Sequence, residues 1–153
     1  MPTVTDRAES AEPTEDFRRT KTFTASPEHV LAALCTTEGV NGWWGPTMGS
    51  PTQGGTFAVG FGSGRRIDLV AASVRPERVE WKVEEAPFTP EWAGTSIVFD
   101  IARAEGGSEL RFRHVGLSPQ LDCFDMCEAG WTHYLASLVA YVDSGAGDPY
   151  RPQ

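Results

Sequence analysis

The sequence predicts an α+β fold, in which one antiparallel sheet of about six strands packs against a long C-terminal helix and two short helices follow the first strand. Three observations lead to this fold class. Apolar and polar residues alternate through the middle of the chain, as in a sheet with one face in water. The final segment changes to the helical period of about 3.6 residues. Short stretches with helix-capping signals separate the first strand from the others. A sheet and a helix with one apolar face each bury those faces against each other.

The first elements are a strand and two short helices. Residues 17–25, FRRTKTFTA, alternate and include β-forming side chains, which predicts the first strand. Ser26 is a good N-cap, and Pro27 occupies the first helical position, where its missing N–H costs nothing. A second short helix is predicted over about residues 37–44, and the Gly-Pro pair that follows ends it.

Five further strands and one long helix complete the predicted fold. Each strand places its apolar residues on one face: Phe57, Val59 and Phe61; Ile67, Leu69 and Ala71; Val79, Trp81 and Val83; Ile97, Phe99 and Ile101; and Leu110 and Phe112 with His114. From Leu121 onward, apolar residues recur at 121, 124, 127, 131, 134, 135, 138 and 142. This spacing predicts a helix of about 20 residues with one apolar stripe.

The chain of 153 residues is long enough for one domain with a core of its own. Residues 1–16 carry five acidic side chains, one arginine and few apolar residues, which predicts a disordered acidic tail. The folded domain is predicted over residues 17–145. Residues 146–153, AGDPYRPQ, are expected to form a loose C-terminus.

Charge and hydropathy exclude several classes of function. The net charge of −8 argues against nucleic acid and anionic membranes as partners, since both require a basic surface. No apolar run approaches the roughly 20 residues that span a bilayer. The N-terminus lacks the apolar segment of a secretory signal, so a cytoplasmic location is expected.

The three cysteines indicate neither a disulfide framework nor a metal site. Cys123 and Cys127 are four residues apart and could share a helix face, but a zinc site needs two further ligands, and His133 lies off that face. The cysteines, including Cys35, are therefore interpreted as small buried thiols. No metal and no cofactor are expected.

Five stretches in order resemble a known superfamily: ASPEHVLAALCTTEGVNGWWGP, GGTFAVGF, RPERVEWKV, SELRFRHVGL and EAGWTHYLASLVAYV. Over about residues 20–142 they are similar to the SRPBCC superfamily, which includes START lipid-transfer domains. Within it, the chain resembles the branch named for the activator of the ninety-kilodalton heat-shock protein's ATPase. The resemblance implies a helix-grip fold, a curved antiparallel sheet wrapped on its C-terminal helix. This fold hosts carriers, enzymes and co-chaperones, so it does not specify a function.

Trp43 and Trp44 stand side by side in GVNGWWGPTM. Adjacent helical residues point about 100° apart, so the two rings are not expected to face the same neighbour. We expect Trp43 to wedge the short helix against the sheet and the long helix, and Trp44 to lie at the mouth of the space beneath the sheet. The alternative is that both rings fill the core at one end of the sheet.

A sheet gripped by a helix often leaves a hollow, and the inward aromatic residues are its expected walls. The candidate ligand-binding residues are Trp43, Trp44, Phe57, Phe61, Trp81, Phe99, Phe112, His114, Trp131 and Tyr134. Such a set fits a pocket of about 300–1,000 Å³. The alternative is a filled core.

His114 is the ionisable group on the inward face of its strand. It is interpreted either as a polar handle or general base in an apolar pocket, or as a core histidine held by hydrogen bonds, or as a residue exposed at a frayed strand end. An inward position predicts a pKa below the usual value, because burial disfavours the charged imidazolium. No second catalytic group lies close by in sequence, so catalytic residues are left unassigned.

The leading hypothesis is an intracellular binding protein for a hydrophobic or aromatic small molecule, held between the sheet and the C-terminal helix. The alternatives are a cyclase- or hydrolase-type enzyme that uses the same cavity, and a co-chaperone that stimulates an ATPase. A binder predicts a cavity with one or two polar groups, and an enzyme predicts two convergent titratable groups. A co-chaperone predicts a filled core and a functional outer surface. A homodimer is left open.

Overall fold

The computed structural model describes residues 16–62, 65–86, 90–117 and 124–150. Within these ranges the chain forms seven strands, three α-helices and a 3₁₀ turn. In chain order they are β1 Phe17–Phe23, α1 Pro27–Cys35, α2 Thr37–Trp43, β2 Thr47–Gly49, β3 Thr56–Gly60, β4 Arg66–Arg75, β5 Arg78–Glu85, the 3₁₀ turn Pro90–Trp92, β6 Ser96–Ala104, β7 Gly107–Val115 and α3 Phe124–Ser144.

The described strands form one antiparallel sheet in the order β1-β7-β6-β5-β4-β3-β2. Strands β2 to β7 lie beside their sequence neighbours, and β1 pairs with β7, so that Phe17 is opposite His114. Register shifts within β4 add to the bending of the sheet. The predicted α+β helix-grip fold is confirmed. The strand that the sequence did not predict is β2, whose three residues are too few to show an alternating pattern.

Local capping explains the two short helices. The Ser26 hydroxyl accepts a hydrogen bond from the backbone N–H of His29, and Pro27 occupies the first turn of α1. Thr36 caps α2 in the same way, with its hydroxyl accepting from the N–H of Gly39 at 2.9 Å. Gly39 also allows the close approach of the two helices, because an added Cβ would lie 2.7 Å from the carbonyl oxygen of Ala32.

The core lies between the inner face of the sheet and α3. Helix α3 buries Cys127, Trp131, Leu135, Ser137 and Leu138 along one stripe, as its period predicts. The predicted start of this helix, at Leu121, lies outside the described residues. In the described ranges, no helix combines the length and the apolar character that crossing a membrane requires.

Residues 146–150 differ from the loose C-terminus that the sequence predicts. They form neither helix nor strand, yet the N–H of Asp148 donates to Ser137 Oγ at 2.6 Å. The N–H of Tyr150 donates to the carbonyl of Trp44 at 2.9 Å. Gly147 allows this docking, because an added Cβ would lie 2.6 Å from the carbonyl oxygen of Gly42. Residues 1–15 lie outside the described ranges, so the disordered tail stays a prediction.

Candidate functional site

A cavity of about 260 Å³ opens between the first half of α3 and the β3–β4 side of the sheet. Its walls come from the end of α2, the β3–β4 hairpin, the 3₁₀ turn, α3 and the C-terminal segment. The lining residues are Trp44, Phe61, Arg65, Ile67, Trp92, Met126, Cys127, Gly130, Trp131, Tyr134 and Tyr150. The volume lies just below the usual range of about 300–1,000 Å³ for ligand pockets, which fits a ligand of one or two rings.

Three tryptophans form the aromatic wall of the cavity. The rings of Trp92 and Trp131 stack with centroids 5.7 Å apart and an interplanar angle of 5°. The ring of Trp44 lies 5.3 Å from that of Trp131, tilted by 34°. Indole rings supply large, rigid apolar surfaces, so this wall suits the flat face of an aromatic ligand.

Polar groups gather at the rim of the cavity. The side chain of Arg65 is exposed there, and the phenols of Tyr134 and Tyr150 lie close enough to influence each other. Burial raises the pKa of Tyr134 above its ordinary value, and the nearby Asp148 and Tyr150 add to the effect. The Tyr134 phenol therefore stays protonated near neutral pH and can donate a hydrogen bond.

His114 lies behind the aromatic wall. Both ring nitrogens have partners: Trp131 Nε1–H donates to Nδ1 at 3.0 Å, and Nε2 lies 2.8 Å from Thr95 Oγ1. Because the indole can only donate, Nδ1 accepts, and the proton of the neutral imidazole sits on Nε2. The Thr95 hydroxyl donates in turn to the carbonyl of Trp92 at 2.6 Å. His114 thus supports two wall residues: it bonds directly to Trp131, and it contacts Trp92 through the Thr95 hydroxyl.

Burial lowers the pKa of His114 to about 3, so the imidazole is neutral near pH 7. The side chain is fully buried and does not line the cavity. The direction of the predicted pKa shift is confirmed. The hydrogen-bonded core histidine is the interpretation that this geometry supports, because both ring nitrogens are already engaged and face protein groups.

The tryptophan pair is arranged differently from the sequence-based expectation. The rings of Trp43 and Trp44 are stacked with centroids 5.6 Å apart, and both stack on Trp81, at 6.4 and 5.7 Å. The expectation that they could not face one neighbour is wrong. Trp44 is the C-cap that follows α2, and the long side chains turn both rings in one direction. Trp43 is anchored by its Nε1–H, which donates to the carbonyl of Ala33 at 2.8 Å.

The cavity takes in only some of the candidate ligand-binding residues. Trp44, Phe61, Trp131 and Tyr134 line it. The candidates that do not line it are Trp43, Phe57, Trp81, Phe99, Phe112 and His114. They are buried in the hydrophobic core, where neighbouring rings occupy the space, as in the Trp81–Phe99 pair with centroids 4.8 Å apart. Ligand contact by any of the ten stays a prediction.

Sequence reasoning missed several wall residues. Trp92 and Tyr150 lie in segments without a periodic pattern, so the sequence did not indicate that their side chains face inward. Gly130 and Met126 lie on α3 beside the apolar stripe rather than in it. Ile67 and Cys127 did belong to the predicted apolar faces and could have been added to the set on that basis.

Two of the three cysteines, Cys35 and Cys127, lie in the part of the chain that the structure describes. The Sγ atom of Cys127 accepts a hydrogen bond from Trp92 Nε1–H at 3.0 Å, and Cys127 is buried. Cys35 is half-buried, and burial raises the pKa of its thiol. In the part of the chain that the structure describes, no group of three or more histidine, cysteine or acidic side chains is placed to hold a metal ion. Cys123 lies outside the described residues.

A second depression runs beside β2 and β3 and is larger, about 580 Å³, but more open to solvent. Its lining includes Met48, Asp68, Glu84 and Glu85. Acidic side chains and an open shape suit an apolar ligand poorly. The aromatic cavity, which is the more enclosed of the two, is therefore the candidate site.

The architecture and the cavity define a helix-grip protein of the α+β class. The family described as "Activator of Hsp90 ATPase homolog 1-like protein" matches residues 24–143, and the chain belongs to this family. The comparison with curated proteins finds no match.

Solved structures support the same fold. The solution structure of the Aha1 dimer from Colwellia psychrerythraea is 26% identical, with a TM-score of 0.76, over 88% of this chain and 100% of that chain. A protein of Mesorhizobium loti is 19% identical, with a TM-score of 0.70, over 81% and 93%. CalU16 from Micromonospora echinospora is 19% identical, with a TM-score of 0.65, over 86% and 74%. At these lower identities the likeness concerns the fold alone.

Proposed function

We propose that this protein binds a hydrophobic, aromatic small molecule in the cavity between the sheet and α3. The observation that carries the proposal is the aromatic wall of Trp44, Trp92 and Trp131 around a space of about 260 Å³. A ligand that loses about 200 Å² of apolar surface to such walls gains roughly 5 kcal/mol, before the cost of association. Dissociation constants in the micromolar to millimolar range are expected for simple two-ring probes.

The enzyme alternative has less support. Catalysis by a general acid and base needs two titratable groups that converge on the substrate. Among the described lining residues, the ionisable side chains are Arg65, Cys127, Tyr134 and Tyr150. The Cys127 sulfur is engaged by Trp92, and the neutral imidazole of His114 faces Trp131 and Thr95 rather than the cavity. A binding role therefore accounts better for the arrangement.

Gly130 offers a direct test of the proposal. It lines the cavity from α3, and a Cβ added there meets no atom within 4 Å. Gly130→Leu should fill the cavity and abolish binding of 2-acetylnaphthalene, measured by isothermal titration calorimetry. It should also stabilise the protein, since replacing a helical glycine gains about 1 kcal/mol.

The matched control is Ala129→Leu, one residue away on the exposed side of the same helix. This variant adds the same side chain outside the cavity and should bind the probe like the wild type. Undiminished binding by Gly130→Leu would contradict the proposed site. Equal losses in both variants would also contradict it, because they would indicate an effect on α3 rather than on the cavity.

The family description favours one second candidate, activation of an ATPase. Such a role would use the outer surface, which Gly130→Leu leaves unchanged. Stimulation of a purified Hsp90-type ATPase by both the wild type and Gly130→Leu would support this candidate. Absence of stimulation at a large excess of the protein would rule against it.

Two further properties belong to the proposal. Association into a homodimer is suggested by the dimeric relative from Colwellia psychrerythraea, and sedimentation velocity over a range of concentrations tests it.

A cytoplasmic location is consistent with the free thiols of Cys35 and Cys127, since reducing compartments keep thiols unpaired. Fractionation of cells that express a tagged chain tests the location.

A further inference from the structure

The rim of the cavity presents hydrogen-bond donors on one side. Arg65 lies in the hairpin between β3 and β4, and its guanidinium is exposed. The phenol of Tyr150 reaches the same hairpin, because its hydroxyl lies against Gly62 and its ring is 5.8 Å from that of Phe61. The phenol of Tyr134 is close to that of Tyr150. The cationic group and two hydroxyls thus stand at one edge of an otherwise apolar cavity.

Arg65 differs from the arginine beside it. Arg66 Nε donates to the Asp68 carboxylate at 2.9 Å. Among the residues that the structure describes, no carboxylate forms an ion pair with Arg65. A guanidinium that no described carboxylate engages is suited to a planar anionic group, which it binds through two parallel hydrogen bonds.

One acidic group near this rim opposes an anion. The Asp148 carboxylate is close enough to raise the pKa of Tyr134. It lies 3.4 Å from His133 Nε2, whose positive charge offsets it when the imidazole is protonated. Its neighbour Tyr134 is kept as a protonated donor by burial and by this charge. The Asp148 charge therefore acts on Tyr134, and the positive charge of Arg65 comes from the β3–β4 hairpin.

We propose that the ligand is an aromatic acid, with a flat body of one or two rings against Trp44, Trp92 and Trp131 and a carboxylate that reaches Arg65. This inference rests on the proposed function, because it assigns the chemical class of ligand to the same cavity. The apolar wall supplies most of the affinity, and Arg65 supplies a preference for an anion over a neutral ligand of the same shape. Because the rim is in contact with water, we expect a preference of about 3- to 10-fold, and this preference should decrease as salt is added.

Two probes of nearly equal shape test the inference: 2-naphthoate, which is anionic, and 2-acetylnaphthalene, which is neutral. Calorimetric titrations of both into the wild type should give a higher affinity for the acid. Arg65→Gln should reduce the ratio of the two affinities to about one. Arg66→Gln is the matched control. It removes the same charge from the neighbouring residue, whose side chain does not line the cavity. It should leave the ratio unchanged.

The outcomes separate this inference from the proposed function. If the ketone binds and the acid binds no more tightly, the aromatic-acid assignment is wrong and the binding role stands. The assignment is also wrong if Arg65→Gln keeps the wild-type ratio, or if Arg66→Gln lowers the ratio as much as Arg65→Gln does. If neither probe binds the wild type at millimolar concentration, the proposed function fails, and this inference fails with it.

Discussion

At the scale of single residues, His114 connects the sheet to the wall of the cavity. Its Nδ1 accepts from Trp131 and its Nε2 donates to Thr95, and the first of these bonds holds an indole that lines the cavity. A buried imidazole with both nitrogens satisfied is a positioning group. The neutral state is essential to it, because protonation of Nδ1 would remove the acceptor that Trp131 requires.

Acidification should reveal the buried state of His114. Its pKa is about 3 in the folded protein, against about 6.5 in an unfolded chain. As the pH falls, the unfolded state binds the proton first. The free energy of unfolding should therefore decrease as the pH falls from about 6.5 to about 3. The expected decrease is up to about 1.4 kcal/mol for each pH unit. Urea unfolding at a series of pH values measures this loss.

His114→Gln is the reference for that measurement. Glutamine can accept from Trp131 and donate to Thr95 but does not titrate in this range. The variant should fold, bind neutral probes within a few-fold of the wild type, and lose stability less steeply on acidification. Parallel pH profiles for the two proteins would show that His114 titrates normally and is not buried as described.

Substitutions of the two neighbouring tryptophans should distinguish an effect on stability from an effect on ligand binding. Trp43→Phe and Trp44→Phe each remove buried ring atoms, and each should lower the free energy of unfolding by about 1–3 kcal/mol. Only Trp44 lines the cavity, so only Trp44→Phe should weaken binding of 2-acetylnaphthalene markedly. Chemical unfolding and calorimetry on both variants give the comparison. Equal weakening of probe binding in both would indicate that the cavity is sensitive to the core in general.

At the scale of elements, the C-terminal segment 146–150 acts as a strap that completes the rim. The buried hydroxyl of Ser137 on α3 joins this strap to the end of α2: it donates to the carbonyl of Trp43 at 2.8 Å and accepts from the N–H of Asp148 at 2.6 Å. The strap then places Tyr150 on the wall. One hydroxyl thus ties α3, the end of α2 and the strap together.

Ser137→Ala should loosen the strap. It leaves two backbone groups without partners, at a cost of about 1–3 kcal/mol. The N–H of Tyr150, which donates to the Trp44 carbonyl, should exchange with solvent measurably faster. Ser144→Ala on the same helix removes a hydroxyl bonded only to its own helix and should leave this exchange rate unchanged. An unchanged rate in Ser137→Ala would mean that the strap is held by other contacts.

Element by element, periodicity predicted what is long and regular. The alternation in β3 to β7 and the stripe of α3 remain visible because one face of each is buried. Strand β2 has too few residues for a period. The 3₁₀ turn that carries Trp92 and the strap that carries Tyr150 are positioned by tertiary contacts, such as the bond from Trp92 Nε1 to Cys127, for which a single sequence has no local signal.

At the scale of the whole molecule, the fold followed from the sequence but the position of the cavity did not. In the sequence, every inward aromatic residue occupies an apolar position on the inner face. The pattern therefore does not distinguish a residue of the core from a residue of the cavity wall. Phe99 and Phe112 are surrounded by other rings, with their centroids 5.4 Å apart, whereas Trp131, which is also buried, lines the cavity. That difference depends on how far the sheet and α3 separate, which is set by all of the side chains together.

The central claim, that the aromatic cavity is a ligand site, can be tested with the indole N–H resonances of the five tryptophans. In a ¹⁵N-labelled sample titrated with 2-acetylnaphthalene, the resonances of Trp44, Trp92 and Trp131 should shift strongly and reach saturation. Those of Trp43 and Trp81, which lie in the core, should shift less, and all of these changes should disappear in Gly130→Leu. The account would be contradicted if no indole resonance moved at saturating probe, or if the largest shifts belonged to Trp43 and Trp81.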